Sequence, residues 1–466
     1  MYKSRLPRIG LLGIMQELYD KSLPGITGHQ EAYAREIVAE FAGKVDLVFP
    51  RAARNREDIE TIVRQFNFDG LDGVMIVMLT YGPGMRIVRA FQENSLPVLL
   101  ANTQPVPEVT ADWNMDDLTY NQGIHGAQDI SNALMRTIGS GYAICTGYWK
   151  HIDFKNYVVD WSHAAMAASD LKRMKVAEIG KMHGMGDTIA DEAAFMRVIG
   201  PVIHKEYIGE VFRNMETFSE AEIRREMEFN VKNFQVDSDM PDKNHFYAVK
   251  MYLGFRKFLE EAGYEAFSAH FDVFKGDGRF EQIPMYAASR LMAEGYGYAA
   301  EGDTNTATMV AAGHRLKDDA HFTEMYAMDW RLGSMLMSHM GEGNYRIARP
   351  DRPIRLANRF LGIGDLDNPP TYVFQAQPGP ATFVSLVPIE GEYFRLVATY
   401  GEILDTPVVP FIEMPYFHFR PETGLNTCND GWLRNGGTHH QTLHLGDTRR
   451  RWKMFCDILG IEYTEV

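Results

Sequence analysis

The feature that most constrains this chain is the rhythm of its first third, where short apolar runs alternate with amphipathic stretches. Runs at Arg8–Met15, Val45–Phe49, Gly73–Leu79, Val98–Ala101 and Gly141–Thr146 are brief and almost wholly apolar, whereas Gly28–Phe41 and Arg56–Phe66 carry apolar residues at helical spacing. Strands buried on both faces read this way, and the intervening helices are the crossovers that a parallel sheet requires. Ligands in such sheets sit beyond the carboxyl ends of the strands, which directs attention to Gln16–Tyr19, Thr80–Gly84 and Asn102–Pro105.

A second block repeats the style from about Asp170, with a strand at Val176–Ile179, a polar glycine-rich turn KMHGMGD and a long helix near Phe246–Ala262. From about Asp329 the texture changes. Proline and glycine breaks separate β-prone runs at Thr371–Gln375, Ala381–Val387 and Tyr393–Thr399, as in an antiparallel sheet or barrel, and Arg449–Leu459 reads as a closing helix. The expectation is therefore α/β: a parallel-sheet domain over 1–168, a second over 169–325, both flavodoxin-like or Rossmann-like, and a mostly antiparallel β domain with a terminal helix over 326–466. At 466 residues the chain has room for all three.

Sixty-two acidic residues against 47 basic ones give a formal charge of −15, whose field repels nucleic acid and anionic membrane surfaces. Cys145, Cys428 and Cys456 are odd in number and far apart, so they neither staple the fold nor build a thiolate zinc site. No apolar run is long enough to span a membrane, and MYKSRLPRIGLLGIM reads better as a first strand than as a leader, giving the expectation of a leaderless cytoplasmic protein.

Four places hold groups that are costly to bury without partners. In GYGYAAEGDTNTA, Glu301 and Asp303 precede a helix start at Thr304, where acids either complement the helix dipole or face a metal or substrate. HFTEMYAMDWRLGSMLMSHMGEGN gathers Glu324, His339 and Glu342 among methionines. RNGGTHHQTLHLGD carries His439, His440 and His444 behind a double glycine. Adjacent histidines on an extended segment point to opposite faces, so only one of the first two would ligate a given ion. Two carboxylates with two imidazoles form a mixed O/N set suited to Mn²⁺, with Co²⁺, Mg²⁺, Fe²⁺ or Zn²⁺ as alternatives. At the amino end, Gln16, Tyr19, Tyr81, Gln122 and His125 supply neutral hydrogen-bonding groups of the kind polyhydroxylated ligands favour. HEXXH, a Walker loop, GxSxG and a dinucleotide-binding GxGxxG do not occur in supporting contexts.

These pieces stand in a familiar order. With MQELY, YNQGIHG, GYGYAAEGD, FTEMY, GSMLMSHM, FLGIGDLDNP, QAQPGPAT and GGTHHQ in succession, the chain resembles the bacterial L-arabinose isomerases of the L-arabinose/L-fucose isomerase superfamily. The resemblance implies Mn²⁺ held by Glu301, Glu324, His339 and His440, with Glu301 and Glu324 also acting as acid and base. It implies a homo-hexamer with active sites shared between subunits, where Gln16, Leu18, Tyr81, Gln122 and His125 contact sugar, Phe271 forms an aromatic wall, and His183 and His439 line the pocket. The implied reaction interconverts L-arabinose and L-ribulose through an enediol, with D-galactose and D-tagatose as the longer pair.

The chain also departs from that family. Thr304-Asn305 replaces a Trp-Lys pair, GEGNYRIARP follows SHM, and GGTHHQ replaces GGAHHT, so another aldose is an alternative: an L-fucose-like sugar or a hexose substituted at C6, for example by a sulfonate. The amino-terminal half also resembles periplasmic sugar-binding modules. A non-catalytic sugar-binding protein is thus the reading from a different class, and a metal-dependent hydrolase or aldolase a third.

Overall fold

The computed structural model describes residues 5–466. They form two compact units, one of Arg5–Asp170 with residues 457–460 and the other of Leu171–Cys456 with Ile461–Val466. No helix among the described residues is long and apolar enough to cross a membrane.

The first unit is built on β1 (Arg8–Ile14), β2 (Asp46–Val48), β3 (Gly73–Met78), β4 (Val98–Asn102) and β5 (Ala143–Thr146). All pair in parallel, in the order β2-β1-β3-β4-β5. One face buries Leu12, Ile14, Val74 and Ile76 against Ile59, Val63 and Phe66 of the helix Arg56–Phe68. That helix starts where it does because the Asn55 side chain accepts from the Asp58 amide at 2.9 Å, an N-cap. The five expected strands are all present.

The second unit opens with β6 (Lys175–Ile179), β7 (Val202–Lys205), the short β8 (Gln235–Val236), β9 (Ala266–Ala269) and β10 (Gly297–Ala300). Four of them form a parallel sheet in the order β10-β9-β6-β7. The chain continues through β11 (His321–Asp329), β12 (Ser334–Ser338), β13 (Arg355–Asn358), β14 (Pro370–Val373), β15 (Gly379–Glu390), β16 (Tyr393–Ile403), β17 (Tyr416–Pro421), β18 (His440–Leu445) and β19 (Glu462–Glu465). Seven of these make the sheet β15-β18-β11-β12-β17-β16-β19, antiparallel except for β16 with β19. The fold class is thus two parallel α/β sheets followed by a mostly antiparallel β region, with the expected helix at Arg449–Leu459. The antiparallel sheet begins at His321, before the change of texture at Asp329. Its first residues are buried under a helix and do not alternate, so they carry no period-two signal.

That helix, Thr304–Leu316, is buried along its whole length because it touches both the parallel sheet and the antiparallel one. Small residues allow the approach: a Cβ on Gly297 would press into the Ala307 carbonyl oxygen and lie 2.7 Å from Ala311 Cβ and 2.8 Å from Ala266 Cβ. Gly297→Ala should therefore cost about 1–3 kcal/mol, the usual range for overpacking, and denaturant unfolding will measure it. An unchanged unfolding midpoint would mean that the strand and helix have slack.

Candidate active site

Three chain segments of the second unit converge where the parallel sheet meets the antiparallel one. The first leaves the carboxyl end of β10. Glu301 has φ +64° and Gly302 φ +84°. A left-handed backbone is routine for glycine but costs a residue with a side chain about 1–3 kcal/mol, and such strain persists only where neighbours hold it. Here the Glu301 amide donates to the Ala269 carbonyl at 3.0 Å, the Met182 amide donates to the Glu301 carbonyl at 2.9 Å, and the Gly302 amide donates to Ser268 Oγ at 2.9 Å.

The other two segments follow from strand register. Glu324 on β11 lies directly opposite His440 on β18 and Ser338 on β12. Directly paired residues of antiparallel strands face the same side, so Glu324 and His440 share a face, and His339 follows immediately after Ser338. The donor atoms of Glu324, His339 and His440 lie within 4.8 Å of one another, as do those of Glu301, His439 and His440. His440 Nε2 is 3.6 Å from a Glu301 carboxylate oxygen; the nitrogen is buried and has no hydrogen-bond partner.

Each imidazole is oriented from behind. His440 Nδ1 lies 2.9 Å from Asp303 Oδ2, and His339 Nδ1 lies 2.7 Å from Glu342 Oε2, whose other oxygen accepts from Tyr298 Oη at 2.7 Å. A carboxylate behind one ring nitrogen fixes the tautomer that turns the other nitrogen's lone pair forward, which is how imidazoles are presented to metals. Phe322 packs against both rings, with centroids 4.6 Å from His339 and 4.9 Å from His440. Burial alone would push the His339 pKa down, but Glu342, Glu324 and Glu301 outweigh it and hold it above the ordinary value. Burial likewise opposes ionisation of Glu342 and Asp303, yet their histidine partners hold both carboxyls below the usual range. This negative, preoriented O/N set with an orphaned buried nitrogen fits a divalent cation.

Phe271 lines a largely apolar cavity with Met285, Met340 and Ile363 beside Glu301 and His339. His183 lines a different cavity, with Lys181, Thr304 and Asn305. Gln16, Leu18, Tyr81, Gln122 and His125 belong to the first unit. There Tyr81 stacks on His125 with centroids 4.9 Å apart and donates to Asp129 at 3.2 Å, while Gln122 Nε2 is buried without a partner and Leu18 is exposed. The cavity beside Glu301 is lined wholly by the second unit.

One expectation is corrected. His439 and His440 do not point to opposite faces: their rings are 4.0 Å apart, and both approach Glu301. The strand begins only at His440, so alternation does not apply to the bend that carries His439. Asp187 supplies a partner that the sequence did not suggest, accepting from the His439 amide at 2.9 Å and meeting Nδ1 at 2.6 Å. Burial opposes ionisation of Asp187, but His439 prevails and holds its pKa at about 2. His444 turns away to Asp319, 3.4 Å distant.

Family models for the L-arabinose isomerase N-terminal, central and C-terminal domains match residues 9–173, 175–319 and 319–462. The chain belongs to the L-arabinose isomerase family. It is 27% identical to the L-arabinose isomerases of Enterobacter sp. (strain 638) and Escherichia coli (strain K12), and 28% identical to that of Klebsiella pneumoniae subsp. pneumoniae. Each match covers 97% of this chain and 92% of the relative. Membership makes the chain an aldose–ketose isomerase.

Proposed function

We propose that this isomerase is metal-dependent and that Glu301, Glu324, His339 and His440 hold the ion, Mn²⁺ being the first choice for a mixed carboxylate and imidazole set. The observation that carries this is that those donors fall in two triads sharing His440, with His440 Nε2 buried and unpartnered and a carboxylate behind the imidazoles of His339 and His440. When bound, the ion would act as a Lewis acid toward the oxygens on C1 and C2 of the open-chain sugar. The chain's own residues move the protons. One carboxylate of the Glu301 and Glu324 pair takes the proton from C2 and returns it to C1, while the other carries a proton from the C2 hydroxyl to the C1 oxygen. The enediol between them thus gains and loses equal numbers of protons. His439, held by Asp187, and Phe271 border the sugar.

The relatives are named for L-arabinose, and L-arabinose to L-ribulose is the reaction proposed here, with D-galactose to D-tagatose as its longer counterpart. A pocket discriminates weakly against one added group, by roughly 10–200-fold. The proposal extends to a homo-hexamer in which Gln16, Leu18, Tyr81, Gln122 and His125 serve a neighbouring subunit's sugar, with His183 at the pocket's edge. Tyr81, Gln122 and His125 suit that role as polar groups clustered at the carboxyl end of a parallel sheet.

The test strips the protein with a chelator, restores Mn²⁺, and screens aldopentoses, aldohexoses and C6-substituted hexoses for ketose formation, with light scattering on the same preparation. Mn²⁺-dependent ketose from L-arabinose, made by an oligomer, is the expected result. Turnover that survives complete metal removal would overturn the metal assignment, ketose from another aldose alone would replace the substrate, and an active monomer would sink the shared site.

A further inference from the structure

Glu301 supplies a carboxylate from a backbone conformation that residues with side chains rarely adopt, so something must hold the turn. Part of the restraint is backbone pairing, already described. The Ser268 hydroxyl adds to it at the Gly302 amide, and a second side chain binds the Gly302 carbonyl. Lys181 lies just past the carboxyl end of β6, and its ammonium donates to the Gly302 carbonyl at 2.9 Å and to the Thr188 carbonyl at 3.1 Å, with a Glu178 carboxylate oxygen 3.7 Å away. Two of the ammonium's three donors are thus taken by backbone carbonyls, and the Glu178 carboxylate adds an ionic contact. The packing is tight as well: a Cβ on Gly302 would lie 2.6 Å from Lys181 Cα.

The acceptors belong to different parts of the site. Gly302 is the residue after Glu301, and Thr188 follows Asp187, the residue that grips His439 by its amide and ring. Met182, next to Lys181, binds the Glu301 carbonyl. A single cation therefore ties the strained turn to the loop that orients the neighbouring histidine.

We propose that Lys181 is a positioning residue: its ammonium clamps the Glu301–Gly302 turn to the 181–188 loop and so fixes where the Glu301 carboxylate stands. The consequence for metal binding rests on the assignment of Glu301 as a ligand; the consequence for the turn does not.

The test compares Lys181→Met, which keeps the stem and removes the charge and donors, with Lys181→Arg, which keeps both. Hydrogen exchange of the metal-free protein is followed by mass spectrometry, and Mn²⁺ binding to the same full-length proteins by calorimetry. Lys181→Met should speed exchange about tenfold in peptides covering residues 299–306 while peptides of the first unit stay at the parental rate. It should weaken Mn²⁺ binding severalfold, and Lys181→Arg should recover most of both. Parental exchange over 299–306 in Lys181→Met would overturn the proposal, and so would acceleration spread evenly over the whole chain, which marks general destabilisation. Should the parent protein bind no Mn²⁺, the metal assignment fails, whereas the exchange result still decides the role of Lys181.

Discussion

Replacing Glu324 or Glu301 by glutamine should lower ketose formation by roughly 10²–10⁴-fold at saturating Mn²⁺ and sugar, the scale expected when a positioned acid or base is removed. Glutamine preserves shape and one oxygen donor but carries no charge and accepts no proton near neutral pH. Neither change should cost much fold stability. Glu324 sits in the strand ladder just before a register shift between Met325 and Ala327, paired with His440 and Ser338, and the change there leaves every backbone bond in place. Glu301 occupies a left-handed position, already strained, where the bonds that hold the turn use its backbone atoms and not its own carboxylate. Steady-state rates with metal content measured on each preparation separate lost chemistry from lost metal. Near-parental turnover in either variant with one ion bound per subunit would remove that residue from the proton path.

Much of this site was legible in the chain, for reasons that can be stated. Glu301 stood just before a predicted helix start, and that helix is there. His440 followed a double glycine, a pair that permits close packing, and a Cβ on Gly437 would fall into the Trp432 ring. The apolar runs of the first unit were long enough in hydrophobicity, though short in residues, to mark strands buried on both faces.

What escaped the sequence depended on register and on contacts between distant segments. Nothing local announces that Glu324 pairs with His440, because antiparallel register is set by packing across the sheet. Asp187 lies far along the chain from His439 and looked like part of a glycine-rich turn. Asp303 carried two legible readings, helix cap or chemical group, and its two oxygens satisfy both: Oδ1 accepts from the Thr306 amide at 3.0 Å, and Oδ2 meets His440. The alternation rule failed at His439 for a related reason, since it was applied one residue before the strand begins.

The double duty of Asp303 makes it the sharpest probe of how His440 is presented. Asp303→Asn should weaken Mn²⁺ binding about 10–100-fold, the range typical for losing the group behind a ligating imidazole, while changing the unfolding midpoint little. Asparagine is as good an N-cap as aspartate, so its oxygen can keep the Thr306 amide. That choice places the amide NH₂ where Oδ2 stood, facing His440 Nδ1. Two donors cannot face each other there, so the imidazole must carry its proton on Nε2, the nitrogen that now lies buried and unpartnered beside Glu301. A protonated Nε2 has no lone pair for an ion. Flipping the amide restores the tautomer only by setting its NH₂ against the Thr306 amide at the buried start of the helix Thr304–Leu316, which exchanges the loss of affinity for a loss of stability. Calorimetric Mn²⁺ titration and denaturant unfolding on one preparation distinguish the two, and a variant with parental affinity and parental stability would show that Asp303 does not govern the ring of His440.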